Sequence, residues 1–153
     1  MTDSFQTNFP RQSITVTNSS AGNPPIDDND VSGKMAWTIA EAGSDRKAGD
    51  ILILKIGDVS YLADYFVVMT GYSRVQVRAI ADAVEDKLET EWSRRPLRTE
   101  GKAEATWVLL DYGEVIVHVM FPKEREFYNL EAFWGHAERI EYITSATKAR
   151  ELE

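Results

Sequence analysis

Cysteine is absent from this 153-residue chain. That removes disulfides, thiol nucleophiles and thiolate metal sites together, and it fits a reducing cytosol. Histidine is scarce: His118 and His136 are the two present, and they sit on separate predicted elements. A zinc site needs several such ligands to converge, so metal binding is not expected. Positive charge is short as well, with 17 Lys and Arg against 25 Asp and Glu and a formal net charge of -8. Phosphate backbones are bound by clustered Lys and Arg, so DNA is not an expected partner. The long-range field favours a basic partner instead. Arg94, Arg95 and Arg98 form the nearest approach to a basic patch, and they read as solvating a loop around Pro96. No apolar run reaches the roughly 20 residues that span a bilayer, and no secretory signal pattern is visible. A cytoplasmic protein is the expectation.

What is present sorts into three stretches. Residues 1–31 are rich in Ser, Thr, Asn, Asp and Pro (SSAGNPPIDDND is typical) and read as a disordered N-terminal extension. With one Arg and four Asp, the stretch lacks the Arg-rich, acid-poor character of a transit peptide. Residues 32–137 read as one α/β domain, a mixed sheet of about five strands flanked by helices. Residues 138–153 read as a polar tail, helical as far as Ile143 and then frayed.

Inside the domain, Ser32 is a candidate N-cap for a helix over MAWTIAEAG, 35–43, with Gly43 as its stop. DILILKIGD, 50–58, is nearly all apolar between Asp and Gly boundaries, which predicts a strand buried on both faces. YFVVMTG, 65–71, is a second strand by β-propensity. Ser73 and Gln76 form a capping box. Val77, Ile80, Val84, Leu88 and Trp92 then recur at helical spacing, predicting a helix of about five turns. LRTEG is a weak edge-strand candidate. In KEREFYNLEAFWG, 123–135, Phe127, Leu130 and Trp134 share one face of a single predicted helix ended by Gly135.

TWVLLDYGEVIVHVMFP, 106–122, is a hairpin with an imidazole in its most apolar strand. A two-residue turn at Tyr112–Gly113 sets Leu109 opposite Ile116 and Trp107 opposite His118. A three-residue turn, Asp111 to Gly113, shifts the register by one and sends His118 to the opposite face. Either way Val115, Val117, Val119 and Phe121 form the core face. Glu114, Ile116, His118 and Met120 form a mixed face, suited either to a half-buried, hydrogen-bonded histidine or to a partner contact.

Catalytic motifs are missing. Ser73, His118 and Asp111 make a triad on paper only, since Ser73 is a helix cap and no G-x-S-x-G elbow exists. Neither G-x-x-x-x-G-K-[ST] nor G-x-G-x-x-G is found. Asp27, Asp28 and Asp30 lie in the predicted tail, while Asp82, Glu85 and Asp86 lie on the polar side of a helix.

Five blocks occur in order: LADYFVVMTG (62–71), SRVQVRAIAD (73–82), EG (100–101), WVLLDYGEVIVHVM (107–120) and FYNLEAFW (127–134). Together, across residues 35–137, the chain resembles the Iojap-like family of ribosomal silencing factors, RsfS. The resemblance implies an α/β fold related to nucleotidyltransferases but without their catalytic acids, no enzymatic activity and no cofactor. It implies binding to the large ribosomal subunit, on the fourteenth-family protein that helps form an intersubunit bridge. Blocking the small subunit there would repress translation. Relatives in organelles suggest large-subunit assembly as the alternative, and a residual nucleotide-binding protein is a further one. Nucleotidyltransferases follow a Gly-Ser turn with a strand-borne Asp-x-Asp pair, whereas the acids after Gly71-Tyr72-Ser73 are predicted on a helix. By family motif, Trp107, Asp111, His118, Tyr128, Glu131 and Trp134 are expected at the ribosomal contact. Trp107 and Trp134 would be anchors, Asp111 and Glu131 would pair with partner Lys or Arg, and His118 would donate or accept at the sheet face. Trp-rich faces need cover, which makes a homodimer one expectation for the free protein.

Overall fold

The computed structural model describes residues 14–18 and 25–143. The apolar runs form the strands they predict: β2 (Gly49–Lys55), β3 (Tyr65–Thr70), β5 (Trp107–Asp111) and β6 (Val115–Met120), with the short β4 (Arg98–Glu100) at one edge. The tail stretches supply two strands more. β1 (Ile14–Asn18) and β7 (Glu138–Ile143) bring the sheet to seven strands, in the order β1-β7-β2-β3-β6-β5-β4. β1–β7 and β3–β6 run parallel and the remaining pairs antiparallel, so the sheet is mixed as expected.

Two expectations give way here. The disordered extension over 1–31 is interrupted by β1; residues 1–13 and 19–24 lie outside the described residues. The predicted helix up to Ile143 is a strand. Ile140 and Tyr142 point into the core while Arg139 and Glu141 alternate with them, a period of two. Residues 144–153 lie outside the described residues.

Helices α1 (Val31–Asp45) and α2 (Arg74–Trp92) cover one face of the sheet. Ile51, Ile53, Tyr65, Val67, Met69, Val108, Leu110, Val115, Val117 and Val119 pack there against Met35, Ile39, Val77, Ile80, Val84 and Leu88. Asp30, not Ser32, caps α1: its carboxylate accepts from the Gly33 N–H at 2.9 Å. Gly43 does not end that helix. It is buried where α1 crosses β3, and a Cβ there would collide with the Met69 sulfur. The capping box forms with one change of partner. Ser73 Oγ accepts from Gln76 N–H at 3.0 Å, and Gln76 Oε1 accepts from the Tyr72 N–H at 2.8 Å. At the other end of α2, Trp92 Nε1–H donates to Thr38 Oγ1 on α1 at 3.2 Å.

The predicted helix over 123–135 is two helices, α3 (Pro122–Tyr128) and α4 (Leu130–Phe133). Asn129 between them adopts φ 48, the left-handed region in which Asn is among the better-tolerated residues. The break changes the helical phase. Leu130 and Trp134 pack on the second face of the sheet, while Phe127 turns to solvent.

Candidate protein-interaction face

The second face is where the hairpin presents its mixed residues. Neither expected turn occurs. Tyr112 N–H bonds Val115 O at 2.9 Å, so the turn is Gly113–Glu114, with Gly113 at φ 91. Gly at the first central position with positive φ is the II′ arrangement that suits strand twist. The pairs become Leu109 with His118 and Trp107 with Met120. This is a slip of two from the first expected register, so every side chain keeps its face. Trp107 and His118 are diagonal neighbours rather than directly opposite.

The diagonal is bonded. Trp107 Nε1–H donates to His118 Nδ1 at 3.0 Å. Because Nδ1 accepts, the hydrogen bond assigns the proton of the neutral ring to Nε2. His118 is 4% exposed, and Nε2 has no hydrogen-bond partner. Burial lowers its pKa to about 4, so the ring is neutral at neutral pH. The Phe66 ring lies 4.8 Å away on β3. His118 therefore offers nothing to solvent directly. It holds the indole of Trp107.

From this pair the aromatic rings continue outward. Trp107 lies 4.7 Å from Tyr128, and Tyr128 lies 5.0 Å from Phe127. Trp134 lies edge-on to Phe66 at 5.8 Å and to Phe133 at 4.8 Å. Trp107 and Trp134 are half-buried; Phe127, Tyr128 and Phe133 are 78%, 52% and 75% exposed. The sequence reading thus brought Trp107, His118, Tyr128 and Trp134 to one place and missed the two outermost rings. A single helix would keep Phe127 on one face with Leu130 and Trp134, and nothing in the pattern marks Phe133. The signal for both was Asn129, whose tolerance of positive φ permits the break that turns them outward.

Asp111 and Glu131 stand apart from the rings, each with an internal partner. Asp111 shares the face of Trp107 but lies four residues along β5, about 13 Å away at strand spacing. Its Oδ1 accepts from Gly113 N–H at 2.8 Å, and Oδ2 lies 3.7 Å from Arg98. Glu131 pairs with Arg125 at 3.2 Å, and this pair is largely buried. Arg125 also donates to Thr70 Oγ1 at 2.8 Å and to Asp50 O at 2.5 Å, tying α3 to β2 and β3. A polar cavity of about 280 Å³ opens beside them, lined by Asp50, Arg125, Glu131, Arg139 and Glu141 among others. The expected pairing of Asp111 and Glu131 with a partner's cations meets these internal bonds first.

Among the described residues, no three His, Asp or Glu side chains converge as a metal site would require. No helix among them is long and apolar enough to cross a membrane.

Residues 29–153 match the sequence profile of the family described as "Ribosomal silencing factor during starvation", RsfS. The chain is 45% identical to the ribosomal silencing factor RsfS of Bacillus subtilis, over 64% of this chain and 82% of that one. It is 36% identical to the chloroplastic protein Iojap of Arabidopsis thaliana over 76% of this chain, but spans about half of that protein, 48%. A crystal structure of a Chromobacterium violaceum protein superposes with a TM-score of 0.64 at 38% identity, covering 67% of this chain and 85% of that one. With 125 of its residues matched by one profile, and that match continuing through α1, the sheet from β2 to β7 and the aromatic face, the chain belongs to the RsfS family of ribosomal silencing factors.

Proposed function

We propose that this protein binds the large ribosomal subunit through the aromatic face of β5, α3 and α4, blocks joining of the small subunit and so represses translation, without catalysing a reaction. The observation that carries the reading is the row of rings running from buried His118 through Trp107 and Tyr128 to exposed Phe127, with Trp134 and Phe133 alongside. A half-buried Trp on a rigid strand, with an exposed Tyr packed against it from α3, is what interface anchors are made of: large contact area at little entropy cost. The net charge of -8 suits a basic protein surface better than rRNA phosphate. The fourteenth-family protein at the intersubunit bridge is the proposed docking point, and the cytoplasm the proposed place of action.

The residues that a nucleotidyltransferase would use have other duties. Ser73 caps α2, while Asp82 and Glu85 on α2 both hold Lys102. The contacts we assign to the ribosome are Trp107, Tyr128, Trp134, Phe127 and Phe133, with His118 as a positioning residue behind Trp107.

Light scattering of purified subunits tests this. Large subunits incubated with the protein are expected to lose the scattering rise on addition of small subunits. The double variant Tyr128→Ala, Phe133→Ala, in which both rings removed are exposed, is expected to fold normally and restore the rise. An unchanged rise with the wild-type protein would refute the activity. Inhibition by the double variant equal to wild type would refute the site alone.

A further inference from the structure

β1 is the one described element that lies outside the family match, which begins at residue 29. It nevertheless completes the sheet. Ile14 to Asn18 pair in parallel with Arg139 to Ile143, five consecutive partners. β7 is its neighbour in the sheet and the element it chiefly touches. On the other side β7 is held by β2, again over five partners. Without β1, the outer N–H and C=O groups of β7 form an open sheet edge, a template for any extended chain. Glu138, Arg139 and Glu141 put charge along that edge, but it is six residues long, unbulged in its pairing and without proline, so its main-chain groups stay available to an uncharged strand. The segment that fills it, ITVTN, is β-branched and uncharged, a composition suited to a pleated ladder and carrying no charge to oppose one.

We propose that the outer edge of β7 is a strand-acceptor site for an extended, uncharged, β-branched peptide segment running parallel to it, and that residues 14–18 occupy this site in cis. Main-chain bonds supply the affinity, as in other cases of strand addition. Twelve residues, 19–30, join β1 to α1, and so short a connection gives the cis strand an effective concentration of about millimolar. A segment of another chain gains the site when β1 leaves, and β1 can leave alone because it lies at the sheet edge and chiefly touches β7. This inference is independent of the ribosomal reading and concerns the opposite edge of the sheet from β5.

Two measurements test it. The first is native-state hydrogen exchange on the unmodified full chain. Amides of β7 that bond β1 should exchange at least about tenfold faster than those that bond β2, because local opening precedes global unfolding. Equal rates along β7 would show that β1 does not detach separately and would overturn the proposal. The second uses the full chain carrying Val16→Pro and Thr17→Pro, neighbours whose N–H groups point to opposite sides of the strand, so that one ladder N–H is lost, and a fluorescent peptide of sequence RQSITVTNSS. The peptide should bind this variant saturably and the wild-type chain at least about tenfold more weakly, since the cis strand competes. The same peptide with proline at the two corresponding positions should not bind. Absence of binding to a variant whose near-ultraviolet dichroism matches wild type would overturn the proposal. If the variant does not fold, the exchange pattern of the wild-type chain decides.

Discussion

At the scale of single residues, His118 and Trp107 hold one another. Period-two patterning left two faces open for His118, one for each turn; the observed register differs by two residues from the two-residue-turn alternative, so both side chains share the face that alternative gives them. Their depth was not legible, since it depends on how α3 and α4 close over the sheet. Two measurements follow from that depth. Trp107→Phe keeps a ring but removes the donor to Nδ1, leaving a buried acceptor unmatched. Urea unfolding should show a loss of about 1–3 kcal/mol; a loss near zero would mean that water replaces the indole. The second concerns pH. The folded chain holds His118 neutral down to about pH 4, whereas an exposed histidine protonates near 6.5. Between these values the unfolded chain binds the extra proton, so stability falls as pH drops from 6.5 toward 4. Above 6.5 the histidine contributes no slope. The full effect is on the order of 3 kcal/mol. The stability difference between wild type and His118→Gln should narrow across that window and stay constant above it. A difference independent of pH would show that the imidazole is hydrated in the fold.

At the scale of elements, legibility followed the apolar pattern. β2, β3 and β6 bury most of their length in the core, and α2 buries one stripe at helical spacing, so their patterns announced them. β7 was misread because only Ile140 and Tyr142 face the main core, while Arg139 and Glu141 line the polar cavity opposite. β1 was misread because its surroundings are polar and loop-like, and pairing across the sheet is a tertiary fact. The break between α3 and α4 was missed for a local reason: one Asn in a helix-permissive run is a weak signal, yet it rephases the elements on either side. Asn129 at φ 48 makes that break testable. Asn129→Ala should cost up to about 1 kcal/mol in a thermal or urea melt, because alanine keeps the Cβ that crowds the carbonyl in the left-handed region and loses the polar side chain that makes Asn tolerate it. Asn129→Gly should cost little and leave inhibition of subunit joining intact. An alanine variant as stable as wild type would mean that α3 and α4 can merge into one helix. Phe127 and Phe133 would then lose their outward placement, and inhibition should fall with them.

At the scale of the whole molecule, the proposed function divides the labour of recognition between charge and shape. The chain carries -8 overall, yet the rings at the candidate face are neutral, and two acids once expected there, Asp111 and Glu131, are held by Arg98 and Arg125. A net field acts at a distance and accelerates encounter with a basic surface, whereas dissociation is governed by close contacts. The two contributions separate by salt. If the aromatic face makes the contact, raising salt from about 50 to about 300 mM should slow association with the large subunit severalfold, because the Debye length shrinks from about 14 to about 6 Å. Dissociation should change little over the same range. Tyr128→Ala should do the reverse, speeding dissociation while leaving the salt dependence of association in place. Surface-immobilised large subunits report both rates. A dissociation rate that climbs with salt as steeply as association falls would place ion pairs at the heart of the contact. Asp111 and Glu131 would then have to leave Arg98 and Arg125 on binding, and the aromatic rings would be packing for α3 and α4 instead of the ground on which the ribosome is held.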